Sequence, residues 1–117
     1  MQISQLRRYA MSLPEVTEEP HFQYNSFRVR GKIFVTVPPD EEYVHIFVPE
    51  QQRELALALD SDFLEKLFWG DKVVGLRATL GTAEPGVIKQ LVSQAWASKA
   101  PKGLLGNYGA TAKGGKA

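Results

Sequence analysis

The sequence predicts an α+β fold: an antiparallel β-sheet with helices packed on one face. Three observations predict it. Apolar residues recur with a two-residue period on either side of Gly31, and again over 43–48 and 72–79, as in half-buried strands. Stripes at helical spacing frame them, over 4–13 and again over 83–98. Before residue 49 the strands stand too close together for the dozen or more residues that a parallel crossover needs, so they pair antiparallel.

The elements follow in order. Ile3, Leu6, Ala10 and Leu13 share one helical face, with Ser4 as N-cap, and Pro14 ends the helix. Glu15 to Pro20 reads as a loop or a short edge piece. In the run that follows, Phe27 and Val29 alternate with Arg28 and Arg30. After Gly31-Lys32, which reads as a type II′ turn, Ile33, Val35 and Val37 alternate with Phe34 and Thr36. Phe22 and Tyr24 are out of phase with Phe27, which implies a turn or bulge near Asn25-Ser26. Tyr43 to Val48 forms a third strand. A helix then starts at Pro49 with Leu55, Ala56 and Leu59 as its apolar stripe. Asp60-Ser61-Asp62 caps a short second helix carrying Phe63, Leu64, Leu67 and Phe68. Trp69-Gly70-Asp71 turns into a strand over 72–79, with Val74, Leu76 and Ala78 inward. The last helix carries Val87, Ile88, Leu91, Val92, Ala95 and Trp96 on one stripe.

The 117 residues make one domain, 1–100, with a Gly/Lys-rich tail over 101–117 that is flexible unless Leu104, Leu105 and Tyr108 dock. The absence of cysteine excludes disulfide scaffolds, thiol catalysis and cysteine-based zinc sites. No apolar run reaches the roughly 18 residues of a membrane span, and residues 1–8 lack a signal peptide's apolar core. The expectation is a soluble, cytoplasmic, monomeric protein without a cofactor. The net charge of +1 hides an asymmetry. Residues 38–71 hold nine acids against two cations, whereas 1–37 hold five cations against three acids. Such a bipolar surface can steer an anionic partner to one face.

Several short motifs occur in a recognisable order. Leu13-Pro14-Glu15-Val16-Thr17-Glu18-Glu19-Pro20-His21-Phe22 precedes Phe27-Arg28-Val29-Arg30-Gly31-Lys32-Ile33-Phe34. Further on come Trp69-Gly70-Asp71, Val73-Val74-Gly75-Leu76-Arg77, and Ala95-Trp96 with Ala100-Pro101-Lys102. In this the chain resembles the MmcQ/YjbR-like family over nearly all of residues 3–105. The resemblance implies a compact frataxin-like α+β fold with β-hairpins arranged as a double wing, and a DNA-binding label that rests on fold analogy. It implies no catalytic residue. Many members carry a histidine-x-asparagine-lysine-x-histidine-tryptophan run before the late strand. This chain has Leu67-Phe68-Trp69-Gly70-Asp71-Lys72 there, so any role of those histidines does not transfer.

Arg28, Arg30 and Lys32 are the leading candidates for function. Alternation sets both arginines on one face of a ribbon, with Lys32 at its tip. Such a ribbon can track the phosphates of double-stranded DNA, but the same residues suit an ordinary solvent face. Lys72 and Arg77 could extend the patch, but their odd separation points them to opposite faces of a regular strand. The alternative is a protein-interaction or small-ligand module with no nucleic-acid role, its cleft lined by Tyr24, Tyr43, Phe68 and Trp69. The clusters Glu15/Glu18/Glu19 and Asp40/Glu41/Glu42 lack the spacing of a metal loop and read as exposed carboxylates. His21 and His45 show no ligand spacing, and Ser26 and Ser61 lie in no nucleophile context. A non-enzymatic binding protein that needs no metal is the expectation.

Overall fold

The computed structural model describes residues 1–104; Leu105, Tyr108 and the rest of the basic tail lie outside the described residues. In chain order the elements are α1 (Ile3–Ser12), β1 (Val16–His21), β2 (Tyr24–Val29), β3 (Lys32–Val37), β4 (Tyr43–Ile46), α2 (Glu50–Asp60), β5 (Leu64–Trp69), β6 (Lys72–Thr79) and α3 (Pro85–Lys99). The six strands form one antiparallel sheet in the order β1-β2-β3-β4-β6-β5.

Cross-strand register sorts the residues into rows. Phe27, Val35, Ile46 and Leu76 stand opposite one another in turn across β2, β3, β4 and β6, and all four are buried. They join Leu6 of α1 and Ile88, Val92 and Trp96 of α3 in a single core. Burial of these side chains stabilises the fold by about 1.5–3 kcal/mol each. One position along each strand, Ser26, Thr36, His45 and Arg77 form a second row, which the pleat turns to the opposite face. The core thus lies between the sheet and the α1/α3 layer, and the polar row faces away from it. Trp96 fixes the layer in place, because its indole Nε1 donates to the Pro14 carbonyl at 3.0 Å, where α1 has just ended.

Several local expectations are corrected. The α1 cap is Gln2, whose N–H donates to Gln5 Oε1 at 2.8 Å, so Ser4 lies within the helix. Residues 16–21 are a full edge strand, with Pro20 where an edge tolerates a missing donor. The β2–β3 turn is Arg30-Gly31, with positive φ at both positions as in a type I′ turn, and Lys32 already pairs with Val29. The register shift lies between Phe27 and Arg28, and the phase change near Phe22 marks the β1–β2 turn. Residues 64–69 form a strand and not a second helix. Their apolar spacing fits either period, and pairing with β6 decides between them. In α2 only Ala56 is buried, while Leu55 and Leu59 are exposed, because the helix meets the sheet along a narrow stripe near β5 and β6. Leu104 packs on the core, as docking of the tail's first residues requires.

Candidate functional site

The basic hairpin expected from Arg28, Arg30 and Lys32 is largely neutralised. The segment expected as a loop or a short edge piece is the edge strand β1, and its acids, with Glu15 just before it, meet the arginines. Arg30 donates from two guanidinium nitrogens to the two carboxylate oxygens of Glu15, one of these contacts at 2.9 Å. This hydrogen bond, together with the opposite charge, holds the Glu15 carboxyl below its ordinary range and raises Arg30. The Arg28 side chain folds back onto Ser26 Oγ at 3.0 Å and the Pro20 carbonyl, with Glu19 at 4.0 Å. Arg7 of α1 pairs with Glu18 at 2.9 Å, and Asn25 donates to the same carboxylate. The arginines and the Glu15/Glu18/Glu19 cluster thus explain each other. Lys32 is exposed beside the turn. Lys72 is also exposed, at the other hairpin, whereas the Arg77 guanidinium lies 3.8 Å over the Tyr43 ring. Of the five cations, Arg28 and Arg30 thus face carboxylates, Arg77 covers an aromatic ring, and Lys32 and Lys72 are exposed on separate hairpins. The edge-piece alternative for Glu15 to Pro20 carries the signal for this pairing, since a strand there sets its acids beside β2.

The face away from the helices carries a cleft of about 600 Å³. Thr36 and His45, from the two central strands, form its floor. The β1–β2 hairpin supplies one wall with His21, Phe22 and Tyr24, and the β5–β6 hairpin supplies the other with Leu67, Phe68 and Trp69. The registers place the two hairpin tips at opposite strand ends, so the cleft runs diagonally across the sheet. Of the four aromatics expected together, Tyr24, Phe68 and Trp69 line the cleft; Tyr43 lies outside it, under Arg77.

Three of these side chains are exposed to a degree that apolar aromatics usually avoid. Phe22 is 92% exposed, Trp69 75% and Phe68 54%. Phe22 also has φ +58°, a left-handed conformation that costs an L-residue roughly 1–2 kcal/mol. The His21 ring packs edge-on against it, with centroids 4.8 Å apart. On the floor, Thr36 Oγ1 and His45 Nδ1 are 3.4 Å apart, and Tyr24 tilts over the imidazole at 5.8 Å. Burial lowers the His45 pKa, the Arg77 charge lowers it further, and Asp40 partly opposes them. His45 is therefore a neutral imidazole at pH 7, able to offer one donor and one acceptor. Phe22, Thr36 and Phe47 were not singled out by sequence, since their convergence depends on the register of strands far apart in the chain.

Among the described residues no group of three or more His, Cys, Asp or Glu is placed to hold a metal ion, and no helix is long and apolar enough to cross a membrane.

The YjbR family model matches residues 11–98, three-quarters of the chain. The chain belongs to the YjbR family. The match spans both hairpin walls and the floor of the cleft; of the lining residues only Lys99 falls just beyond it. A similar solved structure is Deinococcus radiodurans protein DR2400, a DUF419-domain protein. It is 19% identical, with a TM-score of 0.68 over 83% of this chain and 77% of that one. At that identity the likeness shows that this YjbR chain shares its fold. No curated protein matches the sequence.

Proposed function

We infer that this YjbR protein is a non-enzymatic binding protein whose open-face cleft takes a small ligand with a planar aromatic body. The observation that carries this reading is the group of exposed aromatics, Phe22, Phe68 and Trp69, around a polar floor of Thr36 and His45. The volume lies within the roughly 300–1,000 Å³ of small-molecule sites, and a few polar groups amid apolar walls are their usual composition. Trp69 and Phe68 offer a face for stacking, worth about 0.5–1.5 kcal/mol beyond area burial. Binding is favoured over turnover. No carboxylate lines the cleft to orient the His45 imidazole as a general base.

Duplex DNA is the competing ligand, and the ion pairs at Arg28 and Arg30 weigh against it. The test is a titration followed by backbone amide NMR shifts, with a panel of neutral planar aromatics in one series and duplex DNA at about 50 mM salt in the other. Shifts should cluster at Phe22, Thr36, His45 and Trp69 with an aromatic. Trp69→Ala should weaken binding about tenfold. Flat spectra throughout the aromatic panel, or DNA shifts centred on Arg28 to Lys32 that vanish on their triple replacement by alanine, would sink this reading.

A further inference from the structure

A second cavity of about 540 Å³ adjoins the cleft at the end where Trp69 stands, and the two share Phe47, Trp69, Val74 and Lys99. It reaches Arg53 in α2 and Ser98 at the end of α3. No aspartate or glutamate lines either chamber. Arg53 and Lys99 are the cations there, and among the described residues neither lies within 4.0 Å of a carboxylate. This contrasts with Arg7, Arg28 and Arg30, each of which has its acid. The Arg53 side chain is anchored: one terminal nitrogen donates to the Val48 carbonyl at 2.9 Å, and its buried Nε has no hydrogen-bond partner among the described residues. Residues 38–71 are strongly acidic, so an unpaired arginine within them is a local reversal of sign.

We propose that this second chamber is an anion subsite, in which Arg53 and Lys99 receive a carboxylate or phosphate carried by the ligand whose aromatic body occupies the cleft. The proposal rests on the cleft reading above and adds the ligand's charge and its direction. A partly desolvated guanidinium with a free donor attracts an anion more strongly than an exposed cation does. The shared wall of Phe47 and Trp69 joins the two chambers, so one molecule can lie along the diagonal with its ring over the His45 floor and its anion beside Lys99.

The test compares 2-naphthoate with neutral 2-naphthalenemethanol by titration calorimetry on the full chain. The naphthoate should bind about tenfold more tightly or better, as one charge-assisted hydrogen bond implies. That advantage should shrink as salt rises, while binding of the alcohol stays constant. Arg53→Gln should reduce the advantage and leave the alcohol's affinity unchanged, and Lys99→Gln, at a position both chambers share, should weaken the naphthoate more than the alcohol. Lys99→Gln is the decisive variant if loss of the Arg53–Val48 contact unfolds the protein. Equal affinity for the two probes overturns the anion subsite and leaves the cleft standing. An advantage that survives in both folded variants overturns the assignment to these two cations. Absence of binding by either probe overturns the cleft reading itself.

Discussion

Burial and the nearby Arg77 charge both disfavour a proton on His45, so the imidazole titrates below its ordinary value of 6.5 in the folded protein. The unfolded chain therefore binds more protons than the folded one between those two values. The stability that this linkage contributes is present above pH 6.5 and is lost as the pH falls below it. Urea midpoints should drop between pH 7.5 and 5.5, and His45→Gln should flatten that drop; an unchanged slope would contradict the burial argument. Gly75 illustrates a different constraint. A Cβ there would lie 2.4 Å from the Ile46 carbonyl oxygen, because the Ile46-Phe47 backbone at the end of β4 lies directly against this position of β6. Gly75→Ala should destabilise by about 2–3 kcal/mol, since backbone and not a flexible side chain has to move. Thermal melting is the measurement, and a shift of less than about 3 °C would mean that the Ile46 backbone yields to the added methyl group.

The hairpins are the elements that build the site, and each depends on its turn. Gly31 has φ +83° and Gly70 φ +63°. Open space surrounds both positions, so an added methyl group meets a conformational penalty alone. Gly31→Ala and Gly70→Ala should each cost about 1–2 kcal/mol in chemical denaturation. Only Gly70→Ala should also weaken aromatic binding, because its turn follows directly on Trp69 in the cleft wall. Equal effects of the two variants on binding would argue that the β2–β3 turn, which belongs to neither wall, also shapes the cleft. In β1 and β2, antiparallel pairing sets Glu18 opposite Phe27 and Glu19 opposite Ser26, which brings the acids of one strand within reach of the arginines of the next. An acidic stretch and a basic stretch that look like separate motifs along the chain become one ion-paired edge.

At the scale of the whole molecule a single core joins both terminal helices to the sheet, and nothing within 1–104 divides it. Unfolding should be two-state. In a Trp69→Phe variant, fluorescence of the buried Trp96 and far-UV circular dichroism should trace one coincident urea transition. Separated transitions would show that α1 or α3 leaves the sheet independently. The same layering explains where function can lie. One face of the sheet is occupied by helices, so the other face, between two hairpin walls, carries the cleft.

Much of this was legible from residue order. The period around Gly31, the stripe from Val87 to Trp96 and the short spacing of the early strands are local signals, and they suffice for an antiparallel sheet with helices on one face. Trp69 and Tyr24 could be named as cleft candidates because large aromatics next to turns stand out in any sequence. Tertiary structure alone decided the rest. Whether Leu64 to Trp69 becomes strand or helix depends on β6, and whether Arg30 is a free cation depends on Glu15, fifteen residues away in the chain. Arg53 and Lys99 line one chamber although forty-six positions separate them. Local pattern fixes which face of an element is apolar. Charge neutralisation and cavity lining are set by which elements come to lie side by side, and that is a property of the assembled sheet.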